Sequence, residues 1–288
     1  MISSQGSVNG KWDYVRMNGA GNAFIVVDAF DRPFRPSEDE VRRLASPDAG
    51  LGGFDQLISV EPSKAADGFM RVWNADGSMV ETCGNALRCV GWLMLEEFEK
   101  PQVVVDTLGG LTRATRAGQL RVRVDMGEPR LEWQQVPLAE EMDTRGIELQ
   151  VGPIDNPVVH TPGAVSMGNP HVVFFTGRQD DGFVRGTGSL VEHHPLFPEG
   201  VNVGFANVLD AETIRLRVWE RGAGLTLACG TGACGAMVAA HRRGLVGRSV
   251  KMILDGGELL VEWDEATNHV FMTGPVEIEG TGTLESVL

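Results

Sequence analysis

Two short stretches that begin alike decide how the chain is interpreted: Cys83-Gly84-Asn85-Ala86 and Cys229-Gly230-Thr231-Gly232. They are separated by 146 residues (229 − 83), which is close to half of the 288-residue chain. A helical pattern follows each of them, because apolar residues recur at helical spacing from Leu87 to Phe98, and Ala233–Ala240 is small and apolar on nearly all sides. The sequence therefore predicts two buried helices, each with a cysteine at its N-terminus.

Other landmarks repeat in the same order and at nearly the same distance, 146 residues for the first two pairs below and 147 for the third. The matching pairs are Arg71-Val72-Trp73 with Arg217-Val218-Trp219, Gln56 with Asn202, and Gly21-Asn22 with Gly168-Asn169. A fixed period in the sequence indicates repeated structure. We therefore expect two homologous halves rather than four coincidences.

The segments around these helices have the patterns of strands and turns. Residues alternate between apolar and polar from Leu120 to Met126 and again from Ile214 to Val218, which predicts half-buried strands. The segment Met252–Val261 is interrupted by a glycine-rich turn and predicts a hairpin. Ser37 with Glu40 forms a capping-box pattern at the start of a short helix. Each half is therefore predicted to be an α/β unit rich in strands.

The charge and composition argue against several classes of partner. Lys and Arg total 25 against 39 Asp and Glu, which gives a formal net charge of −14 and disfavours nucleic acid and anionic membrane surfaces. No apolar run approaches the ~18 residues of a membrane span. The polar segment Met1–Lys11 has no apolar core, so it is not expected to be a secretory signal, and we expect a cytoplasmic protein whose four cysteines are thiols.

A cysteine at the start of a buried helix suggests acid–base chemistry. The first amides of a helix lack carbonyl partners and carry partial positive charge, so they bind carboxylates. The same position is expected to lower the pKa of a thiol from about 8.5 toward neutrality. Two such helix ends would hold a carboxylate between two thiols. One thiolate would remove a proton from one face of the α-carbon, and a thiol would return one to the other face.

Two motifs make the chain resemble a known family. The first is Asn74-Ala75-Asp76-Gly77-Ser78 followed by Cys83-Gly84-Asn85, and the second is Glu220-Arg221-Gly222-Ala223-Gly224 followed by Ala228-Cys229-Gly230-Thr231-Gly232. Four shorter segments also match: Gly19-Ala20-Gly21-Asn22, Phe54-Asp55-Gln56, Met167-Gly168-Asn169-Pro170-His171 and Val201-Asn202-Val203-Gly204. From about Val15 to Pro275 the sequence resembles the diaminopimelate epimerases.

The resemblance implies an isomerase that needs no cofactor and no metal. It would interconvert LL- and meso-2,6-diaminopimelate, a small-molecule substrate, in lysine and peptidoglycan precursor biosynthesis. The implied fold is α/β, of the α+β type, with two pseudo-symmetric domains. Each would be a strongly curved, mostly antiparallel sheet wrapped around a central helix, with the active site in the cleft between them. The expected borders are 1–129 plus 276–288 for the first domain and 130–275 for the second, and the expected assembly is a homodimer.

The resemblance also implies the roles of individual residues. Cys83 and Cys229 would be the two acid–base thiols. The backbone of four residues would hold the carboxylate at the reacting carbon: Gly84, Asn85, Gly230 and Thr231. Five side chains would recognise the distal amino-acid group: Asn74, Asn169, Asn202, Glu220 and Arg221. Asn22 and Gln56 would line the same cleft. Charge complementarity supports this division, because an arginine suits the distal carboxylate and a glutamate or amides suit the ammonium.

Some residues have competing interpretations. Cys89 and Cys234 are expected to be core thiols on the central helices. His193 with His194 suggests a metal, but no third ligand lies at useful spacing, so a surface loop is the better interpretation. His171 is interpreted equally well as a residue bordering the site and as a structural histidine.

Two other functions remain open at this stage. A proline or hydroxyproline racemase would share the fold and the paired thiols, but that group typically has histidine after the first Cys-Gly and lacks Asn74 and the Glu220-Arg221 pair. A non-catalytic thiol protein, redox-sensing or zinc-binding, would instead work as a disulfide or with bound metal. The chain departs from the usual diaminopimelate epimerase pattern at Ala86 and Ala23, and we expect neither change to remove the activity.

Overall fold

The computed structural model describes residues 11–81 and 83–285. The expectation about a polar N-terminal segment falls almost entirely outside these residues. Two units make up the chain: Met1–Asp125 with Thr273–Leu288, and Met126–Met272. The borders expected from the family, at 129 and 276, stay a prediction. Within the described residues, no helix is both long enough and apolar enough to cross a membrane.

The regular elements of the described residues follow one another in a strand-rich order. In chain order they are β1 (Trp12–Gly19), β2 (Asn22–Asp28), α1 (Glu38–Ala45), a 3₁₀ turn (Pro47–Ala49), β3 (Gln56–Glu61), β4 (Gly68–Asn74), β5 (Met79–Val80), α2 (Gly84–Glu97), β6 (Gln102–Thr107), β7 (Gly110–Gly118), β8 (Arg121–Asp125), β9 (Gln150–Val151), β10 (Val159–His160), β11 (Gly163–Ser166), β12 (Pro170–Phe175), α3 (Asp181–Glu192), β13 (Asn202–Asp210), β14 (Thr213–Glu220), β15 (Gly224–Thr226), α4 (Gly230–Arg242), β16 (Ser249–Leu254), β17 (Gly257–Trp263), β18 (Val270–Pro275) and β19 (Glu277–Leu284).

The first unit is a mostly antiparallel sheet built around α2. The strands β19, β1, β2, β3 and β4 are neighbours in that order, and β4 continues to β5 and β6, followed by β7 and β8. The pairs β2–β3 and β4–β6 are parallel, and the others are antiparallel. Helix α2 contacts β1 and β2 as well as β6, β7 and β8, so the sheet curves around it. At Gly91 an added Cβ would lie 2.5 Å from the Ala114 Cβ, which shows how closely the helix approaches β7.

The second unit repeats this plan around α4. The pair β11–β12 is antiparallel, β12–β13 parallel and β13–β14 antiparallel, and β14 continues to β15 and, in parallel, to β16. Helix α4 contacts strands β11 to β14 together with β16 and β17. Helix α3 stands between β12 and β13 in the chain, as α1 stands between β2 and β3. The prediction of two homologous α/β halves, each with a central helix, is confirmed.

Three local sequence patterns predicted structural features that the structure contains. The Ser37 hydroxyl accepts a hydrogen bond from the Glu40 amide at 3.3 Å, and the Glu40 carboxylate accepts one from the Ser37 amide at 2.6 Å, which completes the capping box of α1. Strands β16 and β17 form the predicted hairpin. In β14 every second residue from Ile214 to Val218 is buried, as the alternation indicated.

Candidate active site

The two cysteines of the repeated motif occupy the same structural position. Cys83 is the N-cap of α2, with φ −140° and ψ 115°, and Cys229 is the N-cap of α4, with φ −129° and ψ 107°. The carbonyl of Cys83 accepts from the Leu87 amide and that of Cys229 from the Ala233 amide, both at 2.9 Å. Each cysteine therefore begins a buried helix, as predicted. Four residues follow in the first turns, where backbone amides have no carbonyl partner within the helix: Gly84, Asn85, Gly230 and Thr231.

The thiol of Cys229 differs from the expectation for a helix N-terminus. Its Sγ accepts a hydrogen bond from the Gly232 amide at 3.3 Å and lies 3.6 Å from the Thr231 hydroxyl, but only 4% of the residue is exposed. Burial and the charge of Glu220 raise the pKa of the Cys229 thiol well above its ordinary value. The expected lowering is therefore wrong for Cys229, because desolvation and a neighbouring carboxylate outweigh the helix amides. Cys83 is more exposed than Cys229 and is half-buried.

Glu220 forms an acidic pair with this thiol. It is the last residue of β14, its carboxylate accepts a hydrogen bond from the Thr226 hydroxyl, and its charge acts on the Cys229 thiol. Burial raises the pKa of the Glu220 carboxyl. Burial therefore favours the neutral form of both the Glu220 carboxyl and the Cys229 thiol. This arrangement is suited to proton transfer at an adjacent carbon atom.

In the first unit, the structure brings Asn22 and Asn85 together. The Asn85 Nδ2 donates to the Asn22 Oδ1 at 2.6 Å, and the Asn85 Oδ1 accepts from Arg88 Nη1 at 2.8 Å. The carboxylate of Asp55 accepts from the Ala23 amide at 2.8 Å, next to Asn22. The β1–β2 turn is thus attached to the first turn of α2, which carries Cys83.

Gln56 and Asn74 form a second pair, across strands β3 and β4. The Gln56 Nε2 donates to the Asn74 Oδ1 at 3.0 Å, and the Asn74 Nδ2 donates to the Ser78 hydroxyl at 3.1 Å. Asp76 accepts from the Ser78 amide at 2.9 Å and so serves the turn. Within the described part of the chain, the buried Gln56 Oε1 has no hydrogen-bond partner, which makes it a candidate acceptor for a ligand.

In the second unit, Asn169 is held by His171. The His171 Nε2 lies 3.0 Å from the Asn169 Oδ1, and His171 is 1% exposed. Burial and the positive charge of Arg221 lower the pKa of the His171 imidazole to about 3. Neutral His171 therefore donates from Nε2 to the Asn169 oxygen. His171 is buried like a structural histidine, and it contacts the predicted site residue Asn169.

Asn202 fixes the backbone near Arg221. The Asn202 Nδ2 donates to the Pro170 carbonyl and its Oδ1 accepts from the Arg221 amide, both at 2.9 Å, and Asn202 is 3% exposed. The Arg221 guanidinium donates to the Glu199 carbonyl at 2.8 Å. The nitrogen and the oxygen of the Asn202 side chain thus both hydrogen-bond to the protein backbone. Its role in substrate binding stays a prediction.

The remaining residues considered from the sequence lie in ordinary environments. Cys89 and Cys234 are fully buried on α2 and α4, and burial raises the pKa of the Cys89 thiol to about 12, as suits a core thiol. His193 is at the C-cap of α3, with 77% of its side chain exposed. No group of three His, Cys, Asp or Glu side chains in residues 11–81 and 83–285 is arranged to hold a metal ion.

One residue near the site was missed by the sequence analysis. Glu192 is 5% exposed and accepts hydrogen bonds from the Trp219 indole at 2.7 Å and the Gly222 amide at 2.8 Å. It stands at the end of a helix that carries no motif, so nothing in the sequence distinguished it from a surface glutamate. The repeat drew attention to Trp219, the hydrogen-bond partner of Glu192, but not to Glu192 itself.

Comparisons with known proteins agree on one family. The diaminopimelate epimerase family model matches residues 14–132 and 163–279. A diaminopimelate epimerase of Caulobacter sp. (strain K31) is 56% identical over 279 residues, covering 94% of this chain and 96% of the relative. One of Phenylobacterium zucineum (strain HLK1) is 53% identical over 271 residues, covering 94% and 97%.

A solved structure shows the same fold at low sequence identity. A hydroxyproline epimerase from Agrobacterium vitis, with trans-4-hydroxy-L-proline bound, has a TM-score of 0.65 at 18% identity and covers 96% of this chain and 93% of its own. This likeness concerns the fold alone. The two family-specific cysteine motifs, the matched residues and the identity of more than half over nearly the full length of both chains show that the chain belongs to the diaminopimelate epimerase family, a family of isomerases.

Proposed function

We propose that the protein interconverts LL- and meso-2,6-diaminopimelate without a cofactor, with Cys83 and Cys229 as the two acid–base groups. The observation that carries the proposal is the placement of one cysteine at the N-cap of the buried helix in each of the two homologous units. The relatives are named diaminopimelate epimerases, which supports diaminopimelate as the proposed substrate.

In the proposed reaction, the α-carbon loses a proton from one face and gains a proton on the other. A thiolate takes the α-proton from one face, which leaves the electron pair on the carbon and, by delocalisation, on its carboxylate. The opposite thiol then donates its proton to the other face and becomes the thiolate. The configuration is inverted, and the enzyme ends one turnover with the two thiols in exchanged protonation states. The amides of Gly84, Asn85, Gly230 and Thr231 are the proposed donors to the carboxylate.

The protonation of Cys229 fits one starting state. Because burial and Glu220 favour its neutral form, Cys229 is the thiol that would donate a proton in the first turnover. The Thr226 hydroxyl would hold Glu220 in place, where its charge acts on the Cys229 thiol. Cys83 would then be the base in that direction, and the roles exchange in the reverse direction.

The distal amino-acid group is the proposed source of orientation. Arg221 would bind the distal carboxylate, while Glu220, Asn74, Asn169 and Asn202 would contribute to the ammonium side. Asn22 and Gln56 would complete the site. Binding of the end that does not react holds the reacting carbon against the thiols and reduces the entropic cost of the reaction.

A substrate panel tests this function. Reduced protein is incubated with LL-diaminopimelate, L-proline and trans-4-hydroxy-L-proline, and the stereoisomers are separated by chromatography after derivatisation. We expect epimerisation of diaminopimelate and none of the two proline compounds. Turnover of a proline compound without turnover of diaminopimelate would contradict the proposal and favour a proline racemase activity on this fold.

Location and assembly are part of the same proposal. The protein would act in the cytoplasm as a homodimer, with no nucleic acid or membrane partner. Sedimentation velocity on the full chain tests the dimer, which should have twice the mass of 31.1 kDa.

A further inference from the structure

Glu192 is a buried carboxylate that accepts hydrogen bonds from two residues, Trp219 and Gly222, at the turn that follows β14. It is the last residue of α3, and 5% of it is exposed. Its Oε2 accepts from the Trp219 indole at 2.7 Å and its Oε1 accepts from the Gly222 amide at 2.8 Å. An exposed histidine, His193, approaches the same Oε1 at 3.6 Å. A buried charged group is costly unless it is paired or hydrogen-bonded, so a carboxylate in this position calls for a structural reason.

The two donors stand on either side of the proposed recognition pair. Trp219 immediately precedes Glu220, and Gly222 immediately follows Arg221. One carboxylate therefore fixes the chain before Glu220 and after Arg221. The backbone between these points carries both side chains proposed to bind the distal group of the substrate.

Helix α3 supports the same turn through packing. Gly188 lies one turn before Glu192, and an added Cβ there would fall 2.5 Å from the Trp219 side chain, so the indole rests directly on the helix backbone. The far edge of the indole ring lies within 3.5 Å of the position that a Cβ at Gly224 would take. Trp219 thus packs against two glycines, and its indole N–H donates to Glu192.

The chain that follows Glu192 holds Arg221. The Glu192 carbonyl accepts from the Val201 amide at 3.2 Å, which closes the loop that leads to β13. Within this loop, the Glu199 carbonyl binds the Arg221 guanidinium, and Asn202 binds the Arg221 amide. The Glu192 carboxylate therefore holds the backbone that follows Arg221, and the Glu192 carbonyl closes the loop that binds the Arg221 guanidinium.

The state of the carboxyl agrees with this geometry. Burial acts to raise the pKa of Glu192, but the hydrogen bonds from the Trp219 indole and the Gly222 amide outweigh it, and the pKa is lowered. Glu192 remains an anion that accepts from both donors at once, which a neutral amide cannot do with both of its terminal atoms.

We propose that Glu192 is a positioning residue for substrate recognition: it acts through Trp219 and Gly222 to place Glu220 and Arg221 for the distal amino-acid group of the substrate. The proposal rests on the function proposed above. Because the distal group does not change during the reaction, its contacts are equally strong in the ground state and the transition state, so their loss raises KM more than it lowers kcat.

The variant Glu192→Gln tests this role. It keeps the shape of the side chain and one acceptor oxygen, but its amide nitrogen cannot accept from either donor. We expect KM for LL-diaminopimelate to rise about tenfold, with kcat within about threefold of wild type, as for the loss of one hydrogen bond to a charged acceptor. An unchanged KM would overturn the proposal, and so would a fall in kcat alone.

Glu61→Gln is the matched control. Glu61 is also a buried carboxylate, 6% exposed, and it is hydrogen-bonded by Arg35, Arg71 and Ser59 in the first unit. We expect Glu61→Gln to lower Tm without a change of KM. Equal changes of KM in both variants would show a general effect of stability and overturn the specific role of Glu192.

A double-mutant cycle with Arg221→Ala shows whether Glu192 acts through the turn. If it does, Glu192→Gln should add less than about twofold to KM in the Arg221→Ala background, because coupled residues are not additive. Full additivity would overturn the proposed route.

The hydrogen bond itself has a readout that needs no activity. The indole N–H resonance of Trp219, assigned by its loss in Trp219→Phe, should exchange slowly with solvent in wild type and faster in Glu192→Gln. Fast exchange in wild type would overturn the proposal. If wild type does not act on diaminopimelate, the proposed function fails and this recognition role fails with it. If wild type is active and KM is unchanged in Glu192→Gln, only the role of Glu192 is overturned.

Discussion

Glu220 lies close enough to Cys229 for its charge to raise the pKa of the thiol, and burial raises the pKa of both groups. Each negative charge would also disfavour the other. The pair therefore resists ionisation, in contrast to the activated thiolate that a helix N-terminus alone would produce.

Replacing Glu220 by Gln should lower the pKa of Cys229. The substitution removes the neighbouring charge, which raises the pKa of the thiol. Burial is the larger cause and remains, so the pKa should stay above its ordinary value. The measurement is the pH dependence of alkylation by iodoacetamide, read for each cysteine by mass spectrometry. Cys89, which lies buried on α2, is the internal reference and should not change. An unchanged or higher midpoint for Cys229 would contradict the coupling.

His171 should remain neutral over the working range of pH. Its pKa is lowered to about 3 by burial first and by Arg221 second. Its imidazole resonances, assigned by their loss in His171→Gln, should not titrate between about pH 8 and pH 5, relative to an unperturbed value of about 6.5. A midpoint above about pH 5 would contradict the environment described here.

The same group makes stability depend on pH. The folded pKa is below the unfolded one, so the unfolded state binds a proton first and stability falls as pH decreases from about 6.5 toward 3. In this range the free energy of unfolding of wild type should fall faster than that of His171→Gln, by at most about 1.4 kcal/mol per pH unit. Urea unfolding at pH 6.5 and pH 5 measures the difference, and parallel slopes for the two proteins would contradict it.

Much of the fold follows from local patterns in the sequence. The repeat of Cys-Gly at half the chain length, together with three further landmarks at nearly the same spacing, predicted two homologous units, because the spacing of landmarks survives where side chains change. The helices after Cys83 and Cys229 were predictable because their apolar residues recur at the helical period. The capping box at Ser37 and the hairpin of β16 and β17 were predictable because the signal lies within a few residues.

The electrostatics of the site were not predictable in the same way. The pKa of Cys229 depends on its burial and on Glu220, nine residues away in the chain and brought close by the turn after β14. The helix N-terminus is visible in the sequence, whereas desolvation is a property of the packed structure. Glu192 was missed for the same reason, since its burial and its two donors arise only when α3 packs on β14.

The contact of Gly188 with Trp219 predicts opposite effects of two similar substitutions in α3. Gly188→Ala places a Cβ 2.5 Å from the Trp219 side chain and should destabilise the protein by about 1–3 kcal/mol through overpacking. Gly186→Ala meets nothing within 4 Å and should stabilise by up to about 1 kcal/mol, because alanine favours the helix.

Thermal and urea unfolding of the two variants measure these effects. Through the displaced indole, Gly188→Ala should also raise KM for diaminopimelate, whereas Gly186→Ala should not. Equal stability of the two variants would show that the helix does not approach Trp219 as described.

Solvent isotope incorporation tests the two-thiol account most directly. Reduced protein acts on LL-diaminopimelate in deuterium oxide, and the product is analysed for configuration and α-deuterium in wild type, Cys83→Ala and Cys229→Ala. Cys89→Ala and Cys234→Ala are the controls, since both thiols are buried in the core. The account predicts that wild type and the controls form meso product carrying one α-deuterium, and that epimerisation falls by at least about 10³-fold in Cys83→Ala and in Cys229→Ala. Epimerisation that persists at near wild-type rate in either of these two variants would contradict it.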